Sequence, residues 1–139
     1  MKIDEHFKLA REFDSVLSKL DPKEDGLAII EMQMMAGTNY MNAVLHANGI
    51  IAEDADLTHS YKPLPDNWDD IVLPVPIQEL MTSMTYIENM RKRFARGKTP
   101  EQNDLPQYEP LSPGIVEECS KRYDVMKEVV QCVFARAAD

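Results

Sequence analysis

His46 and His59 are the residues best suited to chemistry in this chain, one just before the segment IIAEDADLTHSYKPLP and the other within it. If the chain folds back between them, the pair together with Glu31 or Asn42 would furnish a metal site or an acid–base couple. A di-iron bundle needs Glu-x-x-His on two helices plus further glutamates. The sequence contains no Glu-x-x-His, so neither a metal nor another cofactor is expected. A histidine near the end of a helix more often serves as a local hydrogen-bonding or dipole-matching group, and that reading is favoured for His46.

The element that must position His46 is the run GLAIIEMQMMAGTNYMNAVLHANG, from Gly26 to Gly49. At 100° per residue, Glu31, Thr38, Asn39, Asn42 and His46 fall within roughly a third of the helix circumference. The rest of the surface is apolar, as in a buried central helix. Polar groups on such a helix need partners, water or a ligand. Asparagine is a poor helix former, so Asn39 and Asn42 imply a tertiary compensation. Three suit them: the lining of a small-molecule pocket, the backbone of the irregular segment that follows, or a dimer seam in which a buried asparagine fixes register. The loop backbone is the favoured partner. If a ligand binds there, its polar lining would be Asn39, Asn42, His46 and His59, with Tyr40, Tyr61 and Trp68 as walls.

Two further features have ordinary readings. Met32, Met34, Met35, Met41, Met81, Met84, Met90 and Met126 suit either an adaptable binding surface or, more simply, a methionine-rich core. The run from Arg91 to Lys98 with Phe94 inside it would suit single-stranded nucleic acid. Cations in the last turn of a helix also answer its dipole, and the acidic residues Glu53, Asp54, Asp56, Asp66, Asp69 and Asp70 could pair with them. No Gly-rich phosphate loop, nucleophile elbow, Cys-x-x-Cys or His-Glu-x-x-His occurs.

Four amphipathic segments carry these residues. The first covers about 4–20, with Phe7, Ala10, Phe13, Val16, Leu17 and Leu20 at helical spacing. Asp21-Pro22-Lys23-Glu24 then either opens the second helix or forms a short turn before Gly26. Asn48-Gly49 is a left-handed stop for that helix. Residues 50–75 look irregular, broken by Pro63, Pro65 and Pro74. The third helix runs from about Pro76 to Ala95 with Ile77, Leu80, Met81, Met84, Ile87, Met90 and Phe94 inward, and Gly97 closes it. Ser112 and Pro113 open the fourth, whose buried stripe is Ile115, Cys119, Met126, Val129, Val130, Val133 and Phe134. The sum is an all-α, four-helix up-and-down bundle, residues 1–139 forming one domain, with a long irregular loop between helices 2 and 3.

With 139 residues, 44% hydrophobic and 28% charged, the chain can bury a core without staples. No run approaches the ~18 apolar residues of a membrane span. The acidic N-terminus MKIDEHFKLAREFD is unlike a secretory signal, so a cytoplasmic protein is expected. A net charge of −9 argues against nucleic acid and anionic membranes as partners. Cys119 and Cys132 on one helix would lie about 20 Å apart, too far for a disulfide, and are read as free buried thiols.

Tyr40–Pro63, a helix with small and aromatic residues, then AVLHANGI, then LTHSYKP, resembles the second helix and following loop of HEPN domains. The helix count and order are similar over most of the chain. The resemblance implies an antiparallel bundle that dimerises. Many HEPN domains are RNA-cleaving toxins with an Arg a few residues before a His, whereas others are non-catalytic binding modules. Here only Arg11 precedes a downstream histidine, and His46 is far outside that spacing, so no active residue carries over. The reading is a non-catalytic, homodimeric binding or accessory module. Its rivals are a small enzyme using His46 or His59 as acid–base and an RNA-associated HEPN-like protein.

Overall fold

The computed structural model describes residues 1–60, 65–95 and 110–137. Among them are four helices and no strand: α1 (Ile3–Leu17), α2 (Gly26–Ala47), α3 (Val75–Met90) and α4 (Pro113–Ala137). A widened π-helical turn, Arg91–Ala95, extends α3, and a single 3-10 turn, Trp68–Asp70, punctuates the long loop. No helix of the described residues is long and apolar enough to cross a membrane.

The up-and-down order is visible in the contacts. His6 near the start of α1 meets Asn39 on the second half of α2, so these two helices run antiparallel. Arg91 at the end of α3 reaches Glu31 near the start of α2, which sets α3 antiparallel to α2 as well. Gln33 donates to Ser120, and further along both helices Gly37 faces Met126, so α4 runs parallel to α2. The central helix of the bundle is therefore α2, which packs against each of the other three. Its near-continuous apolar surface buries Ile30, Met34, Met41, Val44 and Leu45. Gly37 marks the closest approach: a Cβ there would stand 2.8 Å from Met84 Sδ and 3.2 Å from Met126 Cε.

Helix boundaries follow local chemistry. Asn48 caps α2 and Gly49 takes φ +66°, the left-handed conformation that glycine adopts without strain. Gly49 N–H bonds the His46 carbonyl and Ile50 N–H bonds that of Leu45, a complete Schellman turn. Asp21–Asp25 forms a short turn, closed by Asp25 N–H on the Asp21 carbonyl, rather than an extension of α2.

Several expectations shift. The first helix ends at Leu17 rather than Leu20, and Val16 is 42% exposed because it falls on the side of α1 away from α2. On α4, Val116 and Tyr123 join the buried stripe. Cys119 is buried but Cys132 is exposed, because thirteen positions of helix rotate the second thiol off the packed face. The third helix changes winding at Arg91, where a π turn buries Phe94. Gly97 lies outside the described residues.

Candidate functional site

Every member of the polar side of α2 has a partner. Glu31 pairs with Arg91 at 2.8 Å, so the basic run begins with a cation already engaged, and its Arg96 and Lys98 lie outside the described residues. Thr38 returns its hydroxyl to the Met34 carbonyl. Asn42 is 1% exposed and clamps the following loop: its Nδ2 donates to the Leu57 carbonyl and its Oδ1 accepts from Leu57 N–H, each at 2.8 Å. The amide mimics a peptide unit and satisfies a buried backbone segment that has no secondary structure of its own. A second clamp lies on α3, where buried Glu88 accepts from Ser60 N–H and from the Ser60 hydroxyl. The loop is thus fixed at Leu57 and at Ser60.

The first clamp delivers Asp56 to His46. One turn beyond Asn42, His46 Nε2 lies 2.6 Å from Asp56 Oδ1 while its Nδ1 lies 3.2 Å from the Ile51 carbonyl. The Schellman turn makes this possible by reversing the chain directly after α2. The third member comes from α1: His6 Nε2 is 3.0 Å from the same Asp56 Oδ1, and its Nδ1 is 2.9 Å from Asn39 Oδ1. The imidazoles of His6 and His46 are almost fully buried, whereas the Asp56 side chain keeps 30% of its surface exposed. The ring centroids are 5.3 Å apart. The other Asp56 oxygen accepts from the Met1 ammonium at 2.9 Å.

The proton inventory of this corner is unusual. A backbone carbonyl only accepts, so His46 Nδ1 must donate to Ile51. Asn39 Nδ2 is committed to the Met35 carbonyl, which leaves its oxygen facing His6, so His6 Nδ1 must donate too. Each ring therefore meets Asp56 through Nε2, and a nitrogen this close to a carboxylate oxygen either carries a proton or shares a cation with it. Burial alone would raise the Asp56 carboxyl, but the Met1 ammonium, His6 and His46 outweigh it and hold it down at about 2. Asp56 is ionised at neutral pH and brings no proton to share. Two imidazole nitrogens and a carboxylate oxygen converge on one point, an arrangement stabilised by protons on the nitrogens or by a cation among them.

Of the residues expected from the sequence to line a pocket, Asn39, Asn42 and His46 meet at this corner. His59 stays outside the three-residue cluster, Trp68 packs against the hydrophobic core from its 3-10 turn, and Tyr61 lies outside the described residues. Tyr40 points elsewhere, donating its hydroxyl to Asp14. The partner of His46 is thus His6, not His59. The sequence held one signal for it: His6 heads the stripe His6, Ala10, Phe13, Leu17 at helical spacing. An open groove of about 530 Å³ lies between α3 and α4, lined by residues such as Thr82 and Arg122, away from the polar side of α2.

Comparison of the chain with protein-family models, with curated proteins and with solved structures finds no match to any of them.

Proposed function

We propose that this chain is a non-catalytic, cytoplasmic binding module of HEPN-like character that works as a homodimer and holds a small ligand at the corner formed by α1, the end of α2 and the following loop. The observation that carries the reading is the convergence of His6, His46 and Asp56 on one point, held by Asn39 and Asn42. Asn42 and His46 are too deeply buried to leave an open face for a large organic molecule, which favours a compact ligand entering past the partly exposed Asp56. Dimerisation is supported by Leu27 and Met35, large apolar side chains exposed on α2.

The rival acid–base enzyme has less support. A general base needs a nitrogen free to meet a substrate, and both nitrogens of His6 and of His46 are engaged within the protein. The RNA-associated reading is disfavoured by the net charge of −9.

A thermal-shift panel of metal ions, small anions and nucleotides tests the module. Stabilisation of the wild type that His46→Gln abolishes supports it, and a flat response to every class overturns it. Light scattering on the eluting protein tests the dimer, and a monomer at micromolar concentration removes that part.

A further inference from the structure

We propose that His6, His46 and Asp56 bind one divalent transition-metal ion of the zinc class, through the two Nε2 atoms and Asp56 Oδ1. The inference rests on the binding-module reading and names its ligand. The three donor atoms lie within 4.8 Å of one another and come from three separate segments of the fold. Two imidazoles and a carboxylate are a donor set for Zn²⁺ and its first-row neighbours, not for Mg²⁺ or Ca²⁺, which take oxygen.

Three independent features favour a metal over a pair of shared protons. First, each histidine donates its other N–H to an oxygen acceptor, Asn39 Oδ1 for His6 and the Ile51 carbonyl for His46. This is the outer shell that orients metal-binding histidines and fixes the lone pair on the ligating nitrogen. Second, two almost fully buried imidazoles with ring centroids 5.3 Å apart bring both Nε2 atoms to the same carboxylate oxygen. One divalent ion satisfies all three donors at once. Third, the adjustable member is the exposed one. Donors around a tetrahedral zinc stand roughly 3.3 Å apart, so the contacts of 2.6 and 3.0 Å to Asp56 must open by about 0.7 and about 0.3 Å. Asp56 sits on a loop with access to solvent, where it can move and where water can take the fourth position.

The test uses the whole chain, stripped with chelator and titrated calorimetrically with Zn²⁺. One ion per chain is expected, with no saturable binding of Mg²⁺. Co²⁺ in the same protein should give the visible ligand-field bands of a four- or five-coordinate ion with nitrogen donors. His6→Ala, His46→Gln and Asp56→Asn should each weaken Zn²⁺ by at least about tenfold, and the positioning variant Asn39→Ala by about tenfold, while His59→Ala binds as the wild type does. The Co²⁺ spectrum of the unmutated protein decides the matter even where a variant fails to fold. Absence of saturable Zn²⁺ binding, a purely octahedral Co²⁺ spectrum, or affinity lost in His59→Ala but kept in His6→Ala would each overturn the proposal. The organic compounds of the thermal-shift panel separate the two readings: if Zn²⁺ fails but a compound stabilises in a His46-dependent way, the metal falls and the module stands.

Discussion

Asp14 and Asp56 are both half-buried carboxylates that gather partners from separate helices, yet they differ in who brings the protons. Around Asp14 the hydroxyls of Tyr40 and Tyr123 each donate to one oxygen, and Lys127 stands 3.6 Å away. Burial, then the bond to Asp14, pushes both phenols well above their ordinary range, so they remain donors at any physiological pH. That cluster is complete and ties α1 to α2 and α4. Around Asp56, two buried imidazole nitrogens stand where Asp14 meets O–H groups. Similar geometry therefore serves closure in one place and gathers a metal-type donor set in the other. The difference is read from the second nitrogen of each ring, not from the short contacts themselves.

Four experiments would break or sharpen this contrast. The largest effect is expected for Asn42→Ala, which strands the N–H and carbonyl of buried Leu57 and should cost about 3 kcal/mol in urea unfolding. A loss under about 1 kcal/mol would mean that the loop delivering Asp56 is held by something else. Asp14→Asn sets an amide N–H against a phenol donor and should cost about 2 kcal/mol without changing Zn²⁺ affinity; coupled losses would erase the distinction between the two clusters. Asp56→Asn in chelator-treated protein at neutral pH should cost about 1 kcal/mol, because a carboxyl held down at about 2 by its neighbours contributes stability above its ordinary range that an amide cannot supply, and that contribution is lost as pH falls toward 2. No loss at all would mean that the carboxylate gains nothing from the ammonium and the two rings around it. The smallest effect concerns the thiols: alkylation at pH 8 in native buffer should modify Cys132 alone. Burial pushes the Cys119 thiol up to about 11 and shields it, so it stays protonated and unreactive there. Mass spectrometry showing two adducts on folded protein would contradict this.

The local part of the site was legible in the sequence, and the long-range part was not. Apolar periodicity with Asn48-Gly49 located α2 and its end because both depend on neighbouring residues. Two asparagines inside a helix pointed to a compensating partner, and for Asn42 that partner is the loop backbone, ten to twenty residues on. His46 does make the local bond near its helix terminus that histidines there commonly make, to Ile51. His6 escaped because its contacts span 33 to 50 residues and its setting, IDEHFK, reads as a solvated first turn. Pairing His46 with His59 assumed that closeness in sequence would bring the rings together, whereas the clamp at Leu57 turns Asp56 inward. Glu88 was missed for a related reason: a carboxylate on the Ile77–Met84–Ile87 face of α3 is accounted for only by knowing that Ser60 returns to it.

The attachment of α1 has a consequence for how the molecule comes apart. Among the described helices its backbone lies close to α2 alone, and it reaches α4 through side chains, as in the edge-to-face rings of Phe7 and Phe134. His6 anchors its first turn to a loop fifty positions away. An ion shared between His6 and Asp56 would close that span as a reversible cross-link, withdrawing loop entropy from every state in which α1 has peeled off. Amide exchange in α1 would then report the ion, slowing when it is bound and quickening when it leaves, while the α2–α3–α4 core exchanges at one rate in both conditions. Occupancy of a single coordination point would decide whether the bundle behaves as four helices or as three with a detachable first.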